Sequence, residues 1–341
     1  MKPLFLGLLV AMNLVWAGTC PIYKVLASQL DSGAIATWRY GMATLCLLAV
    51  WRWLPGQGPR GRDLAKALVM GVVVFCLAPR LQIEGVQRGL AGDTSLLISL
   101  DPLIVALAAA LFLGERIAPQ RWWGFGLGMI GMALLSRLGQ SSQPLGGLLA
   151  NLLFVTSFVC EAVYSVMGKP LLARVGTFKL MGAALVGGSL ANVSWEGLTR
   201  GAGTFYAGGH LPLWAWGWLI YMALICTVVG YALWFVVIKE TDVNLAGLTV
   251  FVQPVAGFAM SVAFLGEPFH AGQFWGSAII LAGLVVGLRS PAQLGQAGWS
   301  RLRWLGWRTR LIPMPAAASP RPPAAPRKER AVSSSSKSGC L

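Results

Sequence analysis

The sequence predicts an all-α integral membrane protein, with ten transmembrane helices arranged as two inverted five-helix repeats. Three observations carry this. Of 341 residues, 56% are hydrophobic and only 11% are charged, too few charges to cover a soluble protein of this size. The apolar residues fall into stretches long enough to cross a hydrocarbon core about 30 Å thick. One part of the chain is also written twice. Laid over Gln253–Gly287 without a gap, Asp101–Leu135 matches at Pro102/Pro254, Phe112/Phe264, Leu113/Leu265, Gly114/Gly266, Glu115/Glu267, Trp123/Trp275, Gly124/Gly276 and Gly131/Gly283. An internal repeat in a membrane protein points to two related halves with a site between them.

The expected spans are 3–22, 33–51, 65–83, 94–113, 122–138, 145–167, 177–195, 213–238, 244–265 and 271–288. Each is expected to be a helix, because a lone segment in lipid must satisfy its own backbone. The first follows Lys2 and ends near Ala17-Gly18-Thr19-Cys20, which resembles a secretory signal with a lipoprotein box. Thr before the Cys is unusual there and further spans follow, so this segment reads as a first helix. The second carries Arg39, and the third carries Arg80 and Glu84 near one end. The fourth places Asp101 before Pro102 near its middle and closes on Leu113-Gly114-Glu115. The fifth is studded with Gly124, Gly128 and Gly131. The sixth holds Glu161, the seventh begins near Lys179, and the eighth holds Tyr231 and Trp234. The ninth repeats the fourth, with Gln253 before Pro254 and Leu265-Gly266-Glu267 at its end. The tenth repeats the fifth through Gly283 and Gly287.

Five spans separate each helix from its counterpart, and an odd number inverts the second copy in the membrane. The repeats then cover 1–140 and 141–289. With the N-terminus inside, the inner face collects Lys2, Arg52, Arg60, Arg62, Lys66, Arg116, Arg121, Lys169, Arg174, Lys179 and Lys239. The outer face collects Lys24, Arg80, Arg88, Arg137 and Arg200. The bias favours both termini in the cytoplasm.

Residues 290–341 read as a separate cytoplasmic tail. Nine Lys/Arg against Glu329 alone give it 9 − 1 = +8 of the formal +15. Trp299, Trp304 and Trp307 interleave with four Arg between 299 and 310, a mixture suited to anionic lipid headgroups. The Pro/Ala-rich and serine-rich remainder is expected to be disordered. The topology already explains the basic tail, so nucleic acid is not an expected partner. The six cysteines show no metal or disulfide spacing, and no Gly-x4-Gly-Lys-Ser/Thr phosphate loop occurs. No cofactor or metal is expected, and uphill transport would draw on a gradient.

Two five-helix halves, each with a Pro in its fourth helix, Leu-Gly-Glu at that helix's end and a Gly-rich fifth helix, resemble the EamA family of the drug/metabolite transporter superfamily. Trp16-Ala17-Gly18 and Arg39 resemble its pattern too. The resemblance spans about residues 3–288 and is almost silent on substrate. It implies movement of a small solute such as an amino acid, a sugar derivative or a drug-like compound, often outward.

Ionisable groups in a bilayer are functional candidates by default. Asp101 reads as a coupling or substrate carboxylate beside a hinge, or as a carboxyl satisfying the kinked backbone; its counterpart Gln253 is neutral. Glu161 and Tyr164 are suited to a cationic or hydroxylated solute, or Glu161 to a helix-to-helix ion pair with Arg39 or Lys179. Arg39 suits an anionic group or a structural pair. Arg80 and Glu84, four apart, are expected to pair with each other as a gating or structural bridge. Glu115 and Glu267, at helix ends, would oppose the macrodipole and so serve another helix's start or a loop. Asn13, Trp16, Thr19, Tyr231 and Trp234 offer the aromatic and hydrogen-bonding walls of a small-solute cavity. The competing classes are a membrane enzyme on lipid-borne substrates and a non-transporting scaffold or sensor; a homo-oligomer is compatible with all three.

Overall fold

A computed structural model describes residues 3–88, 97–98, 100–135, 146–201, 211–265 and 271–288. By compactness the chain divides into Met1–Ala292 and Gln293–Leu341, and the basic tail and Glu267 lie outside the described residues. The described part is helical: α1 Pro3–Ala17, α2 Thr19–Leu26, α3 Ser32–Ala49, α4 Gly61–Val72, α5 Ala78–Arg88, α6 Leu100–Leu113, α7 Pro119–Leu135, α8 Gly146–Leu172, α9 Thr177–Arg200, α10 Leu213–Tyr221, α11 Gly230–Ile238, α12 Val243–Leu248, α13 Val252–Leu265 and α14 Ala271–Leu288. Among the described residues four stretches, Pro3–Tyr23, Gly61–Val86, Leu149–Leu172 and Leu213–Ile238, are long and apolar enough to cross a membrane. Leu111, Phe112 and Trp123 are among the large apolar side chains pointing outward, the surface of a protein bathed in lipid rather than water.

Two of these stretches are not regular helices. Between α4 and α5 the backbone widens into a π-helical segment at Val73–Leu77, and between α10 and α11 into another at Met222–Val229. Each holds a buried cysteine, Cys76 and Cys226. A π-turn leaves carbonyls out of register with the usual donors, and neighbouring helices supply replacements. Asn192 Nδ2 donates to Phe75 O at 2.7 Å, and Trp16 Nε1 donates to Cys226 O at 2.7 Å.

The duplicated segments break at the same place. α12 gives way to a 3-10 turn at Thr249–Phe251 before α13 begins at Val252. Pro254 lacks the N–H that a continuous helix would send back to Val250. Asp101 and Gln253 are thus each the second residue of a helix, with proline third. This corrects the expectation that Asp101 lies near mid-helix. In the first turn, where N–H groups have no intrahelical partner, Pro102 breaks no hydrogen bond, and a carboxylate suits the positive helix end.

The glycine-rich helices α7 and α14 pack together. A Cβ on Gly124 would stand 2.9 Å from Gly283 O, and one on Gly131 would stand 2.6 Å from Gly276 O. Gly124 corresponds to Gly276 and Gly131 to Gly283, so the contact is reciprocal and the helices run antiparallel. Such closeness leaves no space for a side chain. Gly131→Ala is therefore expected to cost about 1–3 kcal/mol in detergent melting, whereas Gly126→Ala, with nothing within 4 Å of its Cβ, leaves the transition unchanged.

Candidate functional site

A cavity of about 900 Å³, counted out to its mouth, lies inside the helical body. Its walls are Trp16, Thr19, Arg39, Tyr40, Gln82, Ile98, Asp101 and Val105 from one half of the chain. The other half supplies Phe154, Phe158, Glu161, Tyr164, Ser165, Tyr231, Trp234, Val250 and Gln253. Nine of the ten residues singled out as binding candidates line it. The tenth, Asn13, stands behind the wall, fully buried, and receives Gln253 Nε2 on its Oδ1 at 2.8 Å. Asn13 Nδ2 donates to Leu9 O at 2.8 Å and to Thr249 Oγ1 at 3.1 Å. Gln253 is thereby fixed at the break between α12 and α13.

The aromatic wall is held by its own polar edges. Trp16 is tied to the π-segment through Cys226 O, and its ring lies 5.3 Å from Tyr231 and 6.3 Å from Trp234. Trp234 Nε1 donates to Ser165 Oγ at 2.8 Å. Tyr164 donates its hydroxyl to Tyr231 O at 3.2 Å and stacks on Phe235 at 3.8 Å. Phe75 stands behind, edge-on to both Tyr164 and Tyr231.

Arg39 is 3% exposed. Its Nε donates to Thr227 Oγ1 at 2.9 Å, its Nη1 to the Tyr23 hydroxyl, and its guanidinium lies 5.0 Å from the Tyr40 ring centre. Thr227 donates its own hydroxyl to Met222 O at 2.9 Å, so Arg39 too is moored to a π-segment. Glu161 accepts from Gln82 Nε2 at 3.3 Å. Oδ1 of Asp101 is buried and has no hydrogen-bond partner. Sequence reasoning missed Tyr40, Gln82 and Ser165. Tyr40 and Ser165 are adjacent to the chosen Arg39 and Tyr164, and that proximity was the available signal; Gln82, two residues from both Arg80 and Glu84, carried none.

Two charged clusters lie away from the cavity. Arg80 does not pair with Glu84, contrary to expectation. It reaches across to Glu196 at 2.8 Å and to Asn192 Oδ1 at 3.0 Å, while Glu84 accepts from Ser32 at 2.9 Å and from Arg88 at 2.6 Å. Gly33 makes the longer reach possible. A Cβ there would meet Glu196 Oε1 at 2.1 Å and Arg80 Nη1 at 2.7 Å.

The second cluster centres on Glu115. Gly114, at φ 68°, ends α6 in the left-handed conformation that favours glycine and turns Glu115 inward. Glu115 accepts from Lys169 Nζ at 2.7 Å, from the backbone N–H groups of Val243 and Asn244 at 2.9 and 3.1 Å, and from Asn244 Nδ2 at 2.7 Å. The carboxylate therefore caps the start of α12, where the helix dipole favours it. Lys169 donates again to Thr241 O at 2.7 Å, and Arg121 pairs with Asp242 at 3.0 Å.

Among the described residues no group of three or more His, Cys, Asp or Glu is placed to hold a metal. A helical body with lipid-type surface and a polar, aromatic-walled cavity defines a multi-pass integral membrane protein of the transporter class. More narrowly, the chain belongs to the EamA-like transporter family, whose profile matches residues 3–137 and 148–289. It is 22% identical over 289 residues to YyaM, an uncharacterized transporter of Bacillus subtilis, covering 82% of this chain and 91% of that one. It is 23% identical over 279 residues to a probable terminal-alkyne amino-acid exporter of Streptantibioticus cattleyicolor, with the same two coverages. A solved crystal structure shares the fold at a TM-score of 0.67 and 17% identity, covering 84% of this chain and 96% of the other.

The buried Arg80–Glu196 bridge yields a direct test. Glu196→Gln strands a guanidinium and is expected to cost about 3–5 kcal/mol, while Glu84→Gln, at a partly exposed pair, costs about 0–1 kcal/mol. Melting of the purified variants distinguishes this from an Arg80–Glu84 bridge, for which Glu84→Gln would be the costly change and Glu196→Gln the mild one.

Proposed function

We propose that the protein is a secondary transporter, working as an exporter, that moves a small metabolite by alternating access at this cavity. The observation that carries the reading is the cavity's composition: both halves of the chain supply its walls. In this reading the chain crosses the membrane ten times as two inverted repeats. The reciprocal, antiparallel contact of α7 with α14 supports that arrangement, because two copies of one segment meet antiparallel when the repeats are inverted. The charge bias puts both termini in the cytoplasm. The Glu115 cluster, which joins α6 to α8 and α12, then lies at the cytoplasmic end and closes it, and inward opening requires its bonds to part. Asp101 is the residue best placed to couple transport to a gradient. The amino-acid exporter among the relatives makes amino acids the first solutes to try, with sugar derivatives and drug-like compounds next.

The test is flux into and out of proteoliposomes under imposed proton and solute gradients, with amino acids, sugars and organic cations. Trp16→Ala, at normal membrane insertion, is expected to lower flux by about tenfold or more. Asp101→Asn is expected to flatten the dependence of flux on pH. Removal of residues 290–341 is expected to leave flux intact, whereas a tail-mediated scaffold would lose its partner. Flux of no solute under any gradient would overturn the reading.

A further inference from the structure

We propose that the cavity is built for an amine-bearing solute, whose ammonium group sits against Asp101 with Glu161 beside it; this rests on the transport reading of the same cavity. The polar groups of the wall divide unevenly into donors in use and an acceptor without a partner. Arg39 spends Nε on Thr227 and Nη1 on Tyr23. Trp16, Trp234 and Tyr164 donate to Cys226 O, Ser165 and Tyr231 O, and Gln253 donates to Asn13. Oδ1 of Asp101 accepts nothing, and Glu161 has one long bond from Gln82.

A carboxylate has room for about four donors, and a buried acceptor left unmet is costly, about 1–3 kcal/mol and more when charged. No donor of the wall reaches Oδ1 of Asp101, and a solute that carries its own donors would meet it. Charge points the same way. Two carboxylates face one guanidinium among the lining residues, −2 + 1 = −1 when all are ionised, and the guanidinium is already engaged on its own side. Trp16 and its neighbours Tyr231 and Trp234 add ring faces of the kind that attract cations. A carboxylate-only or uncharged hydrocarbon solute would leave Asp101 as it stands now.

The experiment uses the full chain in lipid nanodiscs and four probes of matched size that differ in their head: phenethylammonium, phenylalanine, 2-phenylethanol and 3-phenylpropionate. Affinity is read by isothermal titration. The two ammonium compounds are expected to bind, the alcohol and the acid to bind at least about tenfold more weakly. Asp101→Asn should weaken the ammonium compounds by about tenfold or more, and Glu161→Gln by less. The wild-type comparison needs no variant to fold. Equal binding of all four heads, tighter binding of the acid, or ammonium binding indifferent to Asp101→Asn would overturn the inference while leaving transport standing. Binding of none of the four, with flux of other solutes in proteoliposomes, also overturns it alone. Binding of none and flux of nothing takes down the transport reading with it.

Discussion

Hydrocarbon offers no partner to an unpaired peptide group, and the structure is organised around meeting that requirement wherever a helix departs from regularity. The π-segments at Val73–Leu77 and Met222–Val229 shift carbonyls out of the helical ladder. Trp16, Asn192 and Thr227 occupy the vacancies. Two of these three then serve the cavity. Trp16 forms its aromatic wall, and Thr227 holds Arg39. The repair of the backbone and the construction of the site are one set of hydrogen bonds, which is why the cavity lies where the helices are irregular.

The same requirement explains the ends of α6 and α12. Glycine at 114 lets the chain turn back, and Glu115 then accepts from the free N–H groups at the start of a helix far away in sequence. A charged residue is tolerable there because every oxygen lone pair has a use. Lys169 neutralises it and donates a further hydrogen bond to Thr241 O. Charge, cap and inter-helix tie coincide in one side chain.

Much of this was legible in the sequence, in particular wherever residues repeat. Asp101 and Gln253, Gly124 and Gly276, Leu113-Gly114-Glu115 and its copy could be aligned by eye, and the cavity gathers nine of the ten candidates. The misreadings have two causes. Partners set by tertiary distance leave no local trace: Glu196 lies 116 residues from Arg80, and only the missing side chain of Gly33 opens the path between them. Helix starts were also invisible inside an unbroken apolar run, so Asp101 read as mid-span although α6 begins just before it. The π-segments have no residue signature, although two cysteines 150 apart, Cys76 and Cys226, mark both.

The glycine contact of α7 with α14 has a consequence for what the two copies can carry. Gly124 meets Gly283 and Gly131 meets Gly276, which is the self-complementary pattern of a twofold dimer folded into one polypeptide. In a true dimer any substitution is written into both subunits, and an acid at one position obliges an acid at its mate. Within one polypeptide that obligation does not hold. The interface stays symmetric because both copies must still fit, while the matched positions 101 and 253 carry an acid and an amide, so the two halves present different groups to the cavity at equivalent places.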